Sequence, residues 1–200
     1  MNFLAHKTWV CVACKCGFTS VKSVLRPPGK DITPDHVDRI VAIVRDPAER
    51  LLSAWRMYYP GCVISLHKHG SRNDPNRIKT DWQYIEQHGQ DIIDNPLRHF
   101  HNFLYHHLHR FQNDHHFAPQ WLEYRKYVIL YPHKIQLLPQ RDLNSLFLQV
   151  GAKPVHENRG GWPFKHVEPQ QFLKLVPGYD SPVMKPYIED HWLWQRAQDK

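Results

Sequence analysis

A continuous apolar run at residues 40–44, Ile-Val-Ala-Ile-Val, constrains the fold of this chain most. Because no polar residues alternate with the apolar ones, the run predicts a strand buried on both faces, as in a parallel sheet covered by helices. Strands are also predicted at residues 8–13, 127–131 and 135–138. Helical patterns occur at residues 19–25, 47–58, 81–93, 95–111, 143–150 and 182–197, and residues 59–80 read as a loop. Strands that alternate with helices predict an α/β fold with a mainly parallel, doubly wound sheet.

Length and composition fit one ordinary domain. The 200 residues suit a single α/β domain spanning residues 1–200, with no visible repeat or boundary. No run approaches the roughly 20 apolar residues of a membrane helix. Residues 1–8 lack the basic-then-apolar order of a signal peptide. We therefore expect a cytoplasmic protein, or a domain trimmed from a longer chain.

The net charge is +7 with histidines counted as neutral, and 16 histidines add positive charge in mild acid. A basic surface favours anionic partners, which include nucleotides, acidic glycans and nucleic acid. Solubility alone also accounts for the charge, so charge does not choose among these classes.

Three cysteines, Cys11, Cys14 and Cys16, lie within six residues. A zinc site requires further ligands at a suitable spacing, and the histidine-rich segments keep that interpretation open. Cys11, however, lies inside the apolar run at residues 8–13. The pattern therefore favours reduced, buried thiols over a metal site.

The first group of residues with chemical potential lies between the first strand and the first helix. Lys15 supplies a cation, Gly17 permits close approach of the backbone, and Thr19 and Ser20 supply hydroxyl donors that we also expect to cap the helix. A turn of this kind points several N–H groups at one place and suits a phosphate or sulfate. No GxxxxGK[ST] pattern is present. A capped helix that merely follows a strand fits the same residues.

The second group follows the strand at residues 40–44. Arg45 stands at its carboxyl end, where open α/β sheets bind ligands, and Ser53 lies eight residues later on the next helix. An arginine fork and a serine hydroxyl together suit a phosphate. Alternatively, Arg45 merely pairs with an acidic residue at the helix terminus.

Taken in order, strand-Lys-x-Gly-x-Thr-Ser-helix and strand-Arg-Asp-Pro-x-x-Arg-x-x-Ser-x-Trp resemble the motifs of sulfotransferases that use 3′-phosphoadenosine 5′-phosphosulfate (PAPS). The closest resemblance is to the carbohydrate branch, which includes the chondroitin and HNK-1 enzymes. It implies a P-loop-like three-layer sandwich in which helices flank a central, mainly parallel sheet. It also implies two phosphate sites. The 5′-phosphosulfate loop would comprise Lys15, Cys16, Gly17, Phe18, Thr19 and Ser20, and the 3′-phosphate would bind Arg45 and Ser53.

A third segment, residues 113–120, resembles the His-Trp-x-Pro-Gln motif of the same branch, with Phe117 in the tryptophan position. His116 aligns with the motif's histidine, which implies a general base that takes the proton of the acceptor hydroxyl. Histidines are dense in this region, at positions 99, 101, 106, 107, 109, 115 and 116. A solvated helix face and an adventitious metal site are therefore alternatives.

Weaker similarities follow towards the C-terminus. Residues 140–151 resemble the family's strand-Glu-Asp-Leu-helix-Gly segment, and residues 187–190 its closing helix, which we interpret as structural. Arg159, in the Gly-containing stretch at residues 156–161, lies where the family places a loop near the nucleotide; a surface loop fits equally well. The chain departs from the family at Cys14, where a proline is usual, and at Phe18, where some branches have small residues.

The resemblance implies transfer of a sulfuryl group from PAPS to a hydroxyl of an acceptor, which the carbohydrate branch implies is a sugar, with PAP as the product and no metal required. Lys15 and His116 would be catalytic, and nucleic acid would not be a partner. Two other classes stay open: a nucleotide-dependent phosphotransferase, and a non-catalytic protein that binds anionic glycans or nucleotides. Related animal enzymes are anchored in the Golgi membrane, so a trimmed domain would come from the Golgi lumen.

Overall fold

A computed structural model describes residues 1–60, 63, 82–155, 164 and 166–199. Most of the loop predicted at residues 59–80 lies outside these residues, as does Cys62. The chain divides into two compact units. Unit 1 comprises Met1–Pro47, Ala118–Asn158 and Pro186–Lys200, and unit 2 comprises Ala48–Phe117 and Arg159–Lys185.

Unit 1 contains a four-stranded mixed sheet in the order β1-β2-β3-β4. Its strands are β1 (Asn2–Ala5), β2 (Thr8–Val12), β3 (Arg39–Val44) and β4 (Ile135–Pro139). β1 is antiparallel to β2, whereas β2, β3 and β4 pair in parallel. The α/β class and three of the predicted strands are confirmed. The edge strand β1 was not predicted, since its four residues are too few for a periodic pattern.

The helices are α1 (Phe18–Val24), α2 (Pro47–Tyr58), α3 (Trp82–Asp94), α4 (Pro96–Asn102), α5 (Trp121–Leu130), α6 (Leu143–Gln149), α7 (Pro169–Leu173) and α8 (Ile188–Gln198). The single helix predicted over residues 95–111 is interrupted. After α4 it continues as a π-helical turn at Phe103–His107 and a 3₁₀ turn at Leu108–Phe111. Another 3₁₀ turn, Lys185–Tyr187, precedes α8.

The strand predicted at residues 127–131 is wrong, because α5 covers most of this segment. Tyr124 and Tyr127 lie three residues apart and are buried, whereas Ile129 and Leu130 are each 66% exposed. This arrangement follows a helical period and leaves apolar side chains in solvent. The aromatic and β-branched composition of the segment favours a strand, but tertiary contacts override that preference.

The hydroxyl group of Tyr124 joins β2 to β3. It accepts a hydrogen bond of 2.8 Å from the main-chain N–H of Ala13, and it donates to the carbonyl of Ile43. Both groups lie near the carboxyl ends of their strands, where the ladder between the strands stops. Helix α5 therefore packs on the sheet through a buried polar contact as well as through apolar burial.

The three described cysteines, Cys11, Cys14 and Cys16, are buried, as predicted. Burial raises the pKa of the Cys11 thiol to about 12, so this group stays protonated at neutral pH. Cys14 and Cys16 are 7% and 0% exposed.

An aromatic cluster forms the core of unit 2. The indole ring of Trp55, on α2, lies 5.1 Å from the ring of Phe100, on α4, and 5.6 Å from that of Phe172, on α7, centroid to centroid. Phe117 is also fully buried and contacts the ring of Phe103 at 5.2 Å.

None of the helices in the described part of the chain combines the length and the apolar character that a membrane crossing requires.

Replacing Tyr124 with Phe is expected to lower the free energy of unfolding by about 2–4 kcal/mol, because two buried main-chain groups lose their shared partner. Chemical denaturation measures the change. Tyr127→Phe is the matched control. It lies on the same helix and its hydroxyl donates to the side chain of Asn2, so we expect a loss of about 0.5–1.5 kcal/mol. Equal losses in the two variants would contradict the bridging role of Tyr124.

Candidate functional site

The carboxyl ends of β2, β3 and β4 lie at one edge of the sheet, because the three strands are parallel and in register. A loop at residues 13–17 leaves β2 at this edge, Arg45 follows β3, and Gln140 follows β4. This edge is where open α/β sheets bind ligands.

Two residues of the loop adopt left-handed backbone conformations. Lys15 has a φ of 67° and Gly17 a φ of 93°. The first is uncommon for a residue with a side chain and costs about 1 kcal/mol, which the surrounding contacts must offset. Between them, Cys16 closes a turn by donating its N–H to the carbonyl of Ala13 at 3.2 Å. The chain thus reverses tightly before α1 begins.

Gly17 is the N-cap of α1, and no side chain caps this helix. The expectation that Thr19 and Ser20 cap the helix is therefore wrong, because both lie within its first turn. The side chain of Thr19 is exposed, whereas Ser20 is 8% exposed. A Cβ atom on Gly17 would lie 2.9 Å from Cδ2 of Leu143, so close packing as well as φ requires glycine here.

The structure brings Arg45 to the loop. Its Nη1 donates a hydrogen bond to the carbonyl oxygen of Lys15 at 3.2 Å, and the side chain is half-buried. The sequence placed these two residues in separate motifs, and the sheet edge joins them. The guanidinium group of Arg45 is therefore bonded directly to the loop that contains Lys15.

Gln120 fixes the main chain at Arg45, and its role was not predicted. Its side-chain amide donates to the carbonyl of Arg45 at 2.7 Å and accepts from the N–H of the same residue at 3.2 Å. The Sγ–H of Cys16 donates to the same amide oxygen at 3.2 Å. Gln120 is fully buried. Gln120 follows Pro119 in the third motif, so the sequence did indicate that this residue belongs to the site. The motif alone does not indicate which groups Gln120 contacts.

Asp190 in turn positions Gln120. Its carboxylate accepts the main-chain N–H groups of Gln120 and Trp121 at 2.8 and 2.7 Å, and the residue is fully buried. These are N–H groups at the start of α5, which have no partner within the helix. Helix α8 therefore anchors α5, and α5 presents Gln120 to the sheet edge.

The remaining predicted residues do not belong to unit 1. Ser53 is half-buried on α2, and His116 follows the 3₁₀ turn in unit 2. Arg159 and the stretch at residues 156–161 lie outside the described residues. The predicted functions of these three residues therefore stay predictions.

His116 forms a local pair with Asp114. Its Nδ1 lies 3.0 Å from Oδ1 of Asp114, which also accepts the main-chain N–H of His116 at 2.8 Å. An ionised carboxylate only accepts, so Nδ1 carries the proton and Nε2 carries the lone pair in the neutral imidazole. The ring packs on Tyr58 at 4.5 Å and its side chain is 13% exposed. This tautomer is the one that a general base acting through Nε2 requires.

Comparison of the chain with protein-family models, with curated proteins and with solved structures finds no match. The functional assignment therefore depends on the motifs and on the chemistry of the sheet edge. Lysine, arginine and first-turn N–H groups are donors and cations that suit a phosphate or sulfate group.

Replacing Gly17 with Ala is expected to destabilise the protein by about 1–3 kcal/mol, because alanine must adopt a left-handed φ and displace Leu143. Gly29→Ala is the matched control, since its Cβ would meet Ile32 at an ordinary 3.8 Å. We expect that variant to stay within about 0.5 kcal/mol of the parent in a denaturant titration. If both variants are equally stable, the tight turn at Gly17 is not required.

Proposed function

We propose that this chain is a sulfotransferase that moves a sulfuryl group from PAPS to a hydroxyl acceptor of a carbohydrate. The hydrogen bond between the Arg45 guanidinium and the Lys15 carbonyl carries the proposal. This hydrogen bond joins the two motifs that, taken in order, resemble the motifs of the donor site in the PAPS-dependent enzymes. Two anion-binding groups at one sheet edge suit a nucleotide with phosphates at both ends of its ribose.

The loop after β2 would bind the 5′-phosphosulfate. Its main-chain turn, the ammonium group of Lys15 and the hydroxyl groups of Thr19 and Ser20 supply donors. Cys16 and Phe18 complete the loop. Cys16 holds the turn in place through its bonds to Ala13 and Gln120.

The 3′-phosphate would bind to Arg45, with Ser53 as the further donor that the resemblance implies, and Arg159 would reach a phosphate from a loop near the nucleotide. The hydrogen bond from Arg45 to the Lys15 carbonyl fixes one N–H of the guanidinium group and so orients the guanidinium plane. An oriented fork of N–H groups binds phosphate more specifically than a mobile ammonium group.

Sulfuryl transfer resembles phosphoryl transfer, with an in-line, loose transition state and charge spread over the equatorial oxygens. Fixed positive groups then supply most of the catalysis. Lys15 would stabilise the sulfuryl oxygens and the leaving phosphate. The acceptor oxygen bonds to sulfur as the bond from sulfur to the phosphate oxygen breaks, and Nε2 of His116 would take the acceptor's proton.

The proposal extends to the wider architecture. We infer that the mixed sheet belongs to a P-loop-like three-layer sandwich and that residues 1–200 act as one domain. Lysine and arginine supply the positive charge, so the proposed reaction uses no metal. The proposed compartment is the cytoplasm, or the Golgi lumen if a longer protein carries this domain.

Calorimetric titration without metal is expected to show tight binding of PAP and much weaker binding of 5′-AMP, which lacks the 3′-phosphate. Arg45→Ala should weaken PAP binding by about ten- to a hundredfold, since a charge-assisted hydrogen bond contributes about 1.5–3 kcal/mol. Arg39→Ala is the matched control. It removes the same charge from the opposite end of β3, where Arg39 contacts Gln149, and should leave the affinity unchanged.

Equal binding of PAP, 5′-AMP and ATP, or no binding, would overturn the proposed donor site. A requirement for Mg²⁺ would instead favour a phosphotransferase. PAP binding without turnover on any hydroxyl acceptor would favour a non-catalytic nucleotide-binding protein.

For the proposed base, His116→Gln is expected to lower kcat by about a hundredfold or more while leaving PAP affinity unchanged, because general-base catalysis typically contributes that much. His115→Gln, at the adjacent exposed position, is the control and should retain activity. A sulfotransferase assay with labelled PAPS measures both. A His116→Gln variant with full kcat would exclude this histidine as the base.

A further inference from the structure

Unit 2 contains a chain of hydrogen-bonded side chains that the proposed sulfuryl transfer does not use. Oη of Tyr84, on α3, lies 2.6 Å from Nδ1 of His99, on α4. Nε2 of the same imidazole lies 2.8 Å from Oδ2 of Asp91, which is back on α3. Tyr84 and Asp91 are seven residues apart and therefore share one face of the helix. His99 is 6% exposed.

The charge state of Asp91 determines which atoms donate and which accept in this series of hydrogen bonds. Hydrogen bonds from His99 and then Asn95 hold the pKa of the Asp91 carboxyl below its usual range, so the group is an anion that only accepts. Nε2 of His99 must then carry hydrogen. In the neutral imidazole this leaves the lone pair on Nδ1, which accepts the phenolic proton of Tyr84.

The oxygen of Tyr84 also receives a hydrogen bond. Nδ2 of Asn102 donates to it at 3.1 Å, and lies 3.3 Å from Nε2 of His107. A donor directed at the phenol oxygen stabilises negative charge there, just as the imidazole on the other side accepts the proton. Both contacts favour ionisation of the same O–H bond.

Other titratable groups surround the hydrogen-bonded side chains of Tyr84, His99 and Asp91. The rings of His88 and His107 lie 4.6 and 5.1 Å from that of Tyr84, and the ring of Tyr59, on α2, lies at 6.4 Å. Arg98 pairs with Asp91 on its exposed side. Neither an uncharged ring nor an imidazolium repels negative charge on the phenol oxygen.

We propose that Tyr84 is an activated phenol, a reactive site of unit 2 that attacks a hard electrophilic centre such as an activated acyl or sulfuryl group. The phenol oxygen forms a bond to the carbonyl carbon or sulfur, the bond from that atom to its leaving group breaks, and the phenolic proton passes to Nδ1 of His99. Asp91 stabilises the resulting imidazolium. His99 is the base that takes the phenolic proton, Asp91 is a positioning residue that acts through His99, and the site involves none of the residues proposed to bind PAPS.

The test uses N-acetylimidazole, which acetylates tyrosine oxygen with loss of imidazole. Mass spectrometry compares the rate at Tyr84 with the rate at Tyr105, an internal reference that is 43% exposed on a neighbouring turn. Exposure alone would make Tyr105 the faster of the two, since Tyr84 is half-buried. Activation by His99 predicts that Tyr84 reacts faster.

Asp91→Asn and His99→Gln are each expected to lower the Tyr84 to Tyr105 ratio by about tenfold or more. His99→Gln lacks the imidazole that accepts the phenolic proton, and Asp91→Asn lacks the carboxylate that stabilises the resulting imidazolium. Asp94→Asn is the matched control. It removes an acid from the same helix, whose carboxylate accepts a hydrogen bond from Gln90, and it should leave the ratio unchanged. Circular dichroism establishes that each variant is folded, and Asp91→Asn alone decides the test if His99→Gln is not.

The pH profile separates activation from a structural role. An imidazolium has no lone pair that could accept the phenolic proton. In the parent protein the ratio should therefore fall once His99 is protonated, and this fall should be absent from His99→Gln. Faster reaction at Tyr105 than at Tyr84, or an unchanged ratio in Asp91→Asn, would overturn the proposal and leave the chain as a structural link between α3 and α4.

Discussion

The side-chain amide of Gln120 is the contact on which the sheet edge of unit 1 depends. It pairs with both the N–H and the carbonyl of Arg45, as the main chain of a neighbouring strand would. Val44 is the last residue of β3 that pairs with β4. The two hydrogen bonds to Gln120 continue the main-chain pairing of β3 by one residue, to Arg45. Because the same amide oxygen accepts from Cys16, the positions of the loop and of Arg45 are set by one buried group.

That amide can act in this way only because α5 is held rigidly. Asp190 binds the first N–H groups of α5, and Tyr124 binds β2 and β3 one helical turn later. Each of these contacts involves a buried polar group whose loss leaves partners unsatisfied, so the cost of breaking one is larger than the net contribution of an average hydrogen bond. The loop thus owes its geometry to residues more than a hundred positions away along the chain.

The elements whose structure depends mainly on neighbouring residues could be predicted from short stretches of the sequence. The apolar run at residues 40–44 became β3, and Gly151, at a φ of 70°, follows α6 as expected. The segment at residues 127–131 was predicted wrongly because its composition favours a strand, whereas α5 is held by contacts with distant residues, through Asp190 at its start and through the buried Tyr124. Gln120 was missed as a site residue for the same reason. Its motif was visible, but its partners come from other elements of the sheet edge.

The two histidine–aspartate pairs of unit 2 show how differently local and tertiary contacts define a proton acceptor. His116 and Asp114 are two residues apart, so a single turn of the chain fixes the tautomer and directs Nε2 away from the carboxylate. His99 and Asp91 come from separate helices, and their contact places Nδ1 against Tyr84 instead. In the first pair the hydrogen bonds end at the imidazole of His116. In the second pair they continue through the imidazole of His99 to the phenol of Tyr84. A dense run of histidines in a sequence therefore contains more than one kind of chemistry, and the partner of each ring nitrogen decides which.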